Sequence, residues 1–260
     1  MRDMNPKVLY EDDYFLVIDK PAGVVVNRAE SVKEETVQDW VKKLMNFTNP
    51  ANLADGENED FIARDGIVHR LDKETSGLLL IAKTPRVFAN LQEQFKNRQV
   101  KKKYIALVHG MVRNDHGVIK NDLGRLPWNR ERFGLLGNGK YAETEYKAIK
   151  RLSVEATEEM KRKHPGQDYG FTLLEVSPKT GRTHQIRVHL KSIGHPVVSD
   201  ELYAGRKTAR EDRRWCKRMF LHACLIEFLH PETGESVRIE CALPDDLKEA
   251  VRGLEARGSF

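Results

Sequence analysis

The sequence contains no apolar run near the ~18 residues that a membrane-spanning helix requires. Its first residues, 1–5, also lack the apolar core of a signal peptide. The three cysteines, Cys216, Cys224 and Cys241, have neither the paired spacing nor the neighbouring histidines of a zinc site. These absences predict a reduced, cytoplasmic protein with no membrane contact, no disulfide framework and no metal.

Internal repeats, low-complexity tracts, a P-loop and a dinucleotide-binding motif are absent as well. The glycines at Gly137-Asn138-Gly139 indicate a turn rather than a loop that binds phosphate. We therefore expect no cofactor. The 260 residues are enough for one large domain or two small ones.

Acidic residues are outnumbered by basic ones in the later part of the chain. Residues 1–65 hold 8 Lys and Arg against 14 Asp and Glu, whereas residues 66–260 hold 36 against 25. Such an asymmetry suits a polyanionic partner, most often nucleic acid. Composition alone leaves open the alternative of an ordinary basic protein.

The stretch Val68–Gly77 concentrates the polar groups that chemistry uses. It reads Val-His-Arg-Leu-Asp-Lys-Glu-Thr-Ser-Gly, and the apolar run Leu78–Ala82 follows at once. That run predicts a buried strand, which would fix the polar loop to the protein interior. Polar residues at the mouth of a buried strand are typical of functional sites, so we take Asp72 as the leading candidate.

A second dense stretch, 178–191, contains four Lys or Arg residues, two histidines and no acid. The spacing of Ile186, Leu190 and Ile193 predicts a helix with one packed face. His184, Arg187 and Lys191 would share another face. We favour a functional face over the alternative of an ordinary solvated one, because no compensating acid lies nearby.

The remaining patterns indicate many short strands and few helices, hence an α+β fold with one mainly antiparallel sheet. Thr84-Pro85, a capping residue followed by proline, predicts the start of a helix. Lys101–Val108 predicts a strand in which Tyr104 is either a core aromatic or a ring that stacks on a base. Residues 109–140 have a loop-like pattern, and residues 46–60 indicate an exposed excursion. The basic stretch 206–218 is either a solvated helix or a contact with an RNA backbone.

These motifs resemble those of the RluA-type family of pseudouridine synthases, in the family's order from about Val8 to about Ala242. The family's motifs appear here as Lys20-Pro21-Ala22-Gly23, His69-Arg70-Leu71-Asp72 with Thr75-Ser76-Gly77, and Gly181-Arg182-Thr183-His184-Gln185-Ile186-Arg187-Val188-His189, with Gly194-His195-Pro196 and Asp200 after them. Three motifs in order are far more specific than one.

The resemblance implies a role for each matching residue. Asp72 is the catalytic aspartate, Arg187 pairs with it, and Tyr104 lies against the target base. Arg70 takes the place of the flipped base, and Lys20 belongs to the RNA site with a role that looks structural. The basic stretches are expected to contact RNA through residues that include His69, Lys102, Lys103, Arg182 and Lys191.

The resemblance also implies an overall design. The expected fold is a mixed, mainly antiparallel sheet in two halves with flanking helices and an RNA cleft across it. Some relatives carry an N-terminal RNA-binding domain, whereas this chain is expected to be a single catalytic domain over 1–260. The expected partner is structured RNA, ribosomal or transfer, and the expected state is a monomer. Target choice is expected to reside in 46–60 and 109–140.

Isomerising uridine means breaking its N-glycosidic bond, turning the uracil and joining C5 to the sugar, with no redox step. A carboxylate beside the sugar can add to the anomeric carbon or remove a neighbouring sugar proton, and the sequence does not choose between these routes. The base must leave its stack, at a cost of a few kcal/mol. Two other functions stay open, a non-catalytic RNA chaperone and a nucleoside or glycoside hydrolase in which Glu74 joins Asp72.

Overall fold

The computed structural model describes residues 6–45, 59–154 and 169–258. The chain divides into two compact units. The first unit comprises Met1–Lys102 and Ala223–Cys241, and the second comprises Lys103–His222 and Ala242–Phe260. In the described ranges, no helix is long and apolar enough to cross a membrane.

The first unit is a sheet covered by helices. Its strands are β1 (Lys7–Glu11), β2 (Phe15–Lys20), β3 (Ser76–Ala82), β9 (Leu221–Leu229, from the third residue on) and β10 (Ser236–Glu240). They lie in the order β1-β2-β3-β9-β10. The pairs β1–β2, β2–β3 and β9–β10 are antiparallel. The helices are α1 (Val37–Met45), α2 (Glu59–Arg64) and α3 (Pro85–Lys96).

The core of the first unit forms around β3, all seven residues of which are buried. Leu78 and Leu80 pack with Phe15 of β2 and with Phe88 of α3 in one apolar cluster. Helix α3 begins as predicted, because the Thr84 hydroxyl accepts a hydrogen bond from the N–H of Val87 and proline occupies the first turn. The predicted buried strand after the polar loop is thus confirmed.

The second unit contains the two longest strands of the described ranges. Its strands are β4 (Lys101–His109, from the third residue on), β5 (His116–Leu126), β6 (Asn129–Leu135), β7 (Lys140–Ser153) and β8 (Gly170–Pro178), of which β5 and β7 are the longest. They lie in the order β4-β8-β7-β5-β6, with antiparallel pairs throughout. The helices are α4 (Gln185–Ser192), α5 (Arg206–Asp212) and α6 (Asp245–Gly258). Phe220, Leu107 and Leu254 are members of its main apolar cluster.

The α+β class with mainly antiparallel pairing is confirmed, but the prediction of a loop over 109–140 is wrong. Residues 109–140 are not a loop, because they form the hairpin β5–β6, which pairs with β7 along eight residues of β5. Few apolar residues mark β5, since only Ile119 and Leu123 are buried in it among the larger aliphatics. Of the excursion predicted at 46–60, residues 46–58 lie outside the described residues, and α2 begins at Glu59.

Helix α4 also differs from its predicted pattern of one packed face and one functional basic face. Residues Gln185 to Leu190 are all buried, so the helix is enclosed on every side through its first six residues. Arg187, which we placed on that functional face with His184 and Lys191, is buried, and of the three only Lys191 is exposed. An apolar stripe in the sequence does not reveal that polar residues on the other face are also covered.

Candidate active site

The polar loop between buried Val68 and β3, which we term the central loop, lies in the first unit and carries Asp72. The Asp72 side chain is part-buried, Arg70 is exposed, and Leu71 between them is buried as an anchor. The N–H of Thr75 donates to the Asp72 carbonyl at 3.1 Å and closes a tight turn. This turn fixes the backbone of the candidate aspartate just before the buried strand begins.

Lys20 fixes the central loop through hydrogen bonds to backbone carbonyl groups. It is fully buried at the end of β2, and its ammonium donates to the carbonyl oxygens of Pro21 (2.7 Å), Val24 (3.0 Å) and Lys73 (3.1 Å). Gly23, with a positive φ of 85°, donates its N–H to the same Lys73 carbonyl at 2.8 Å. This geometry favours a structural role for Lys20 over direct contact with RNA, because its charge faces protein carbonyls.

His69 is turned into the protein rather than towards solvent. Its Nε2 accepts a hydrogen bond from the N–H of Leu80 at 3.0 Å, and its ring lies 4.9 Å from that of Phe95. Burial, with a smaller effect of the nearby Lys102 charge, lowers the pKa of His69 to about 3. A neutral imidazole with its acceptor nitrogen on the backbone ties the loop to β3.

Lys102 lies where β4 begins. Its ammonium is 5.5 Å from the centre of the Phe95 ring, a cation–π contact, and burial lowers its pKa to about 8. The neighbouring Lys103 forms a 2.9 Å ion pair with Glu175 of β8. Two lysines that the sequence grouped together therefore have different surroundings.

A close approach of strands β3 and β9 requires glycine at position 77. Gly77 has a φ of +111°, and a Cβ atom there would lie 2.2 Å from the carbonyl oxygen of Ala223. Any side chain would push the strands apart. The glycine therefore sets the position at which the central loop enters the sheet.

In the second unit, Arg187 is held by Asp200. The arginine Nε donates to Oδ2 of Asp200 at 2.7 Å and its Nη2 donates to Oδ1 at 2.8 Å, and both side chains are almost fully buried. Asp200 Oδ1 also accepts from the N–H groups of Leu202 and Tyr203. A bidentate pair with its own backbone support fixes the plane of the guanidinium.

Tyr203 is a neighbour of Arg187 that sequence reasoning missed. Its ring lies 5.0 Å from the Arg187 guanidinium, and its hydroxyl is 2.9 Å from Nδ1 of His184. The same hydroxyl accepts from the N–H of Phe133 at 3.0 Å. No motif or spacing in the sequence marks Tyr203, whereas Asp200 was already noted as the acid that follows the basic motif.

His184 and His189 support α4 rather than line a charged face. His184 has a positive φ of 54° at the start of the helix. His189 is fully buried, its Nδ1 is 2.9 Å from the hydroxyl of Thr144, and burial lowers its pKa to about 4. Gln185 bonds to the same hydroxyl and to the Glu143 carbonyl, which fastens the helix to β7.

The other predicted residues of this unit lie as follows. Tyr104 is 9% exposed on β4, opposite Val176 of β8. Arg182 is exposed and donates through Nε to the Tyr141 carbonyl at 3.1 Å. In the described ranges, no group of three or more acidic, histidine or cysteine side chains is arranged to hold a metal ion.

Comparison with known proteins identifies the family. A family model described as RNA pseudouridylate synthase matches residues 14–192, and ribosomal large subunit pseudouridine synthases D are among the relatives. The chain belongs to the RluA-type family of RNA pseudouridine synthases. Its reaction is the isomerisation of uridine in RNA.

The similarity of this pseudouridine synthase to its relatives extends over most of the chain. An uncharacterized RNA pseudouridine synthase of Bacillus subtilis is 38% identical over 255 residues, which cover 98% of this chain and 75% of the relative. The ribosomal large subunit pseudouridine synthase D of Nitrosomonas europaea is 40% identical over 256 residues, which cover 95% of this chain and 66% of the relative.

Solved structures agree with the fold of this synthase. Human RNA pseudouridylate synthase domain containing 1 is 26% identical with a TM-score of 0.66, over 97% of this chain and 96% of that one. Human RNA pseudouridylate synthase domain containing 4, at 22% identity and a TM-score of 0.67, shows the same fold.

Proposed function

We propose that this synthase converts uridine to pseudouridine in large-subunit ribosomal RNA, with Asp72 as the group that acts on the ribose. The ribosomal target is supported by the names of relatives from Nitrosomonas europaea and Xanthomonas campestris. We also propose that the two units act as one catalytic domain over 1–260, as a monomer in the cytoplasm where ribosomal RNA is used.

The observation that carries the proposal is how the central loop is built. Asp72 is part-buried, and the next residue in the chain, Lys73, receives hydrogen bonds on its carbonyl from Lys20 and Gly23. Burying an ammonium group is costly. Its use to fix this loop therefore indicates that the position of the loop matters. Pre-organised placement of a carboxylate is what attack on a sugar carbon requires.

The chemistry needs a charged carboxylate and no outside reagent. The bond between N1 and C1′ breaks, the freed uracil turns, and C5 bonds to C1′ in its place. The proton on C5 then leaves and N1 ends protonated, so product and substrate have the same atoms. Asp72 either adds to C1′ or removes the proton on C2′, and both routes require it ionised.

We assign Arg187 the task of keeping that carboxylate charged. Asp200 engages its Nε and Nη2, so a pair with Asp72 would use Nη1. A guanidinium already held in one plane loses little further freedom on pairing. Tyr104 would lie against the base, a position suited to a ring that is 9% exposed.

The remaining proposed contacts concern the RNA itself. Arg70, exposed two residues from Asp72, would fill the place that the flipped base leaves. Phosphates would be held by Lys102, Lys103, Arg182 and Lys191. We assign His69 and Lys20 to the support of the central loop, because their polar atoms bond to backbone groups.

The test is product analysis on unmodified transcripts of large-subunit ribosomal RNA, with transfer RNA transcripts beside them. After incubation and digestion to nucleosides, we expect pseudouridine from the ribosomal transcript and no free uracil. Free uracil would identify a hydrolase. A change in RNA folding without pseudouridine would identify a chaperone, and pseudouridine from transfer RNA alone would refute the ribosomal target.

A further inference from the structure

The tip of the β5–β6 hairpin displays a large aromatic side chain to solvent. Trp128 is 76% exposed, more than any other large hydrophobic residue that the structure describes. It forms no ring contact with another described residue. An indole this exposed adds little to the core, and its ring face is open to a ligand.

The turn that carries Trp128 is not the one that hairpin stability favours. Leu126 pairs with Asn129, so Pro127 and Trp128 form a two-residue connection. Such connections favour Asn or Gly with positive φ, yet neither residue here has a positive φ. The strand instead contains a register shift between Arg125 and Leu126. The sequence thus accepts a less favourable turn to place a tryptophan at the tip.

Two arginines lie within three residues of this tryptophan in the hairpin. Arg125 and Arg130 are both exposed, and neither forms an ion pair with an acidic side chain of the described ranges. Arg125 donates through Nη1 to the carbonyl of Arg130, which joins the two strands beside the turn. One acid, Glu131, lies next to them in the chain. Two cations that are close in the chain to an exposed ring match a nucleotide, which has a phosphate beside a base.

The hairpin is joined to the proposed catalytic arginine within the same unit. The Arg125 guanidinium lies 5.1 Å from the Phe133 ring, which is 5.6 Å from the ring of His184. His184 contacts Tyr203 at 5.7 Å, and Tyr203 underlies Arg187 at 5.0 Å. This continuous row of planar groups, reinforced by the hydrogen bond from Phe133 N–H to Tyr203, holds the hairpin base firmly.

We propose that Arg125, Trp128 and Arg130, which we term the hairpin tip, bind an unpaired nucleotide of the RNA substrate outside the target uridine. The indole of Trp128 stacks on the base, and the two guanidinium groups contact the adjoining phosphates. This inference rests on the proposed function and adds to it a site that selects RNA with a single-stranded segment beside the target.

Steady-state kinetics on the large-subunit transcript separate binding from chemistry. Stacking lost on Trp128→Ala should raise KM about tenfold, or about 1.4 kcal/mol, and leave kcat unchanged. Trp128→Phe keeps a flat ring and should recover most of the affinity. Val118→Ala, at an exposed site elsewhere on β5, is the matched control and should behave as wild type. An unchanged KM for Trp128→Ala would overturn the proposal.

Direct binding keeps this inference distinguishable from the proposed function. Fluorescence titration with a short oligouridylate should show quenching that Trp128→Phe abolishes at the tryptophan wavelength, and a matched RNA duplex should quench far less. Arg130→Gln should reduce the slope of log affinity against log salt by about 0.7, as one lost phosphate contact requires for single strands. Lys248→Gln removes a charge from α6 and should leave that slope unchanged.

Each combination of results has one meaning. A wild type that binds oligouridylate through Trp128 but forms no pseudouridine would refute the proposed function and keep the hairpin tip. If the wild type forms pseudouridine and all tip variants have the wild-type KM, the proposed function stands and the hairpin tip is refuted as a binding site. A change in oligomeric state on Trp128→Ala, without a change in RNA affinity, would make the tip a protein contact and overturn the inference.

Discussion

Replacing the buried Lys20 by methionine tests how the central loop is held in place. Methionine fills a similar volume but leaves the carbonyl groups of Pro21, Val24 and Lys73 without their ammonium donor. Hydrogen bonds to a charged group contribute ~1.5–3 kcal/mol each, and removing a buried charge recovers part of its desolvation cost. We expect a net loss of about 3 kcal/mol in the free energy of unfolding.

The same substitution should slow catalysis through the backbone of the central loop. Lys73 follows Asp72 directly, so a relaxed Lys73 carbonyl shifts the candidate aspartate, and a shift of ~1 Å costs about a hundredfold in rate. Urea unfolding measures the first effect, and pseudouridine formation below the unfolding transition measures the second.

A control in the same loop separates the backbone from the side chain. Lys73→Ala removes an exposed ammonium paired with Glu34 at 3.1 Å but keeps the Lys73 carbonyl. Surface ion pairs of this kind contribute ~0–1 kcal/mol, so this variant should unfold and react nearly as wild type does. If Lys20→Met were as stable and as active as Lys73→Ala, the structural role of the buried ammonium would be refuted.

Three further substitutions test the packing around the site. Gly77→Ala should destabilise the protein by at least about 3 kcal/mol in urea, because its Cβ would meet a carbonyl oxygen of β9 at 2.2 Å; a near-neutral change would contradict that contact. Asp200→Ala leaves Arg187 buried without this partner and should cost about 3–5 kcal/mol together with most of kcat, whereas full activity would show that Arg187 needs no such support. Between its lowered pKa of about 3 and its ordinary pKa of 6.5, His69 binds fewer protons in the folded than in the unfolded protein, so the free energy of unfolding should fall on acidification through that window. His69→Gln keeps a hydrogen-bond acceptor and should show a shallower fall. An identical pH dependence of the two proteins would argue against the lowered pKa.

The sequence predicted most of the first unit because its signals are local. The unbroken apolar run after the central loop specified a buried strand, and Thr84-Pro85 specified the start of α3. Each of these rests on a few adjacent residues whose physical preferences agree. The position of Asp72 at the mouth of β3 followed from the same reasoning.

The β5–β6 hairpin was missed for the opposite reason. Its strands have few buried apolar residues, several glycines and exposed arginines, which is the composition of a loop. What makes them strands is pairing with β7, a partner that joins them through long-range backbone hydrogen bonds. Sequence patterns do not contain that information.

The surroundings of individual site residues were harder still to predict. Nothing in the sequence around Arg187 indicates that Asp200 accepts hydrogen bonds from two of its nitrogens or that the Tyr203 ring packs against it. Likewise, the surroundings of the buried Lys20 include the Lys73 carbonyl, which comes from the separate central loop. Motif likeness selected the candidate residues, and only the tertiary structure shows which of them support others.

The most direct test of the account is tritium release from RNA transcribed with C5-tritiated uridine. Wild type should release tritium, because the C5 proton leaves when that carbon joins the sugar. Asp72→Asn, which removes the charge and keeps the shape, should bind the RNA and release none, whereas Glu74→Gln should release tritium at nearly the wild-type rate. Release by Asp72→Asn equal to that of wild type would contradict the central claim that the Asp72 carboxylate carries out the reaction.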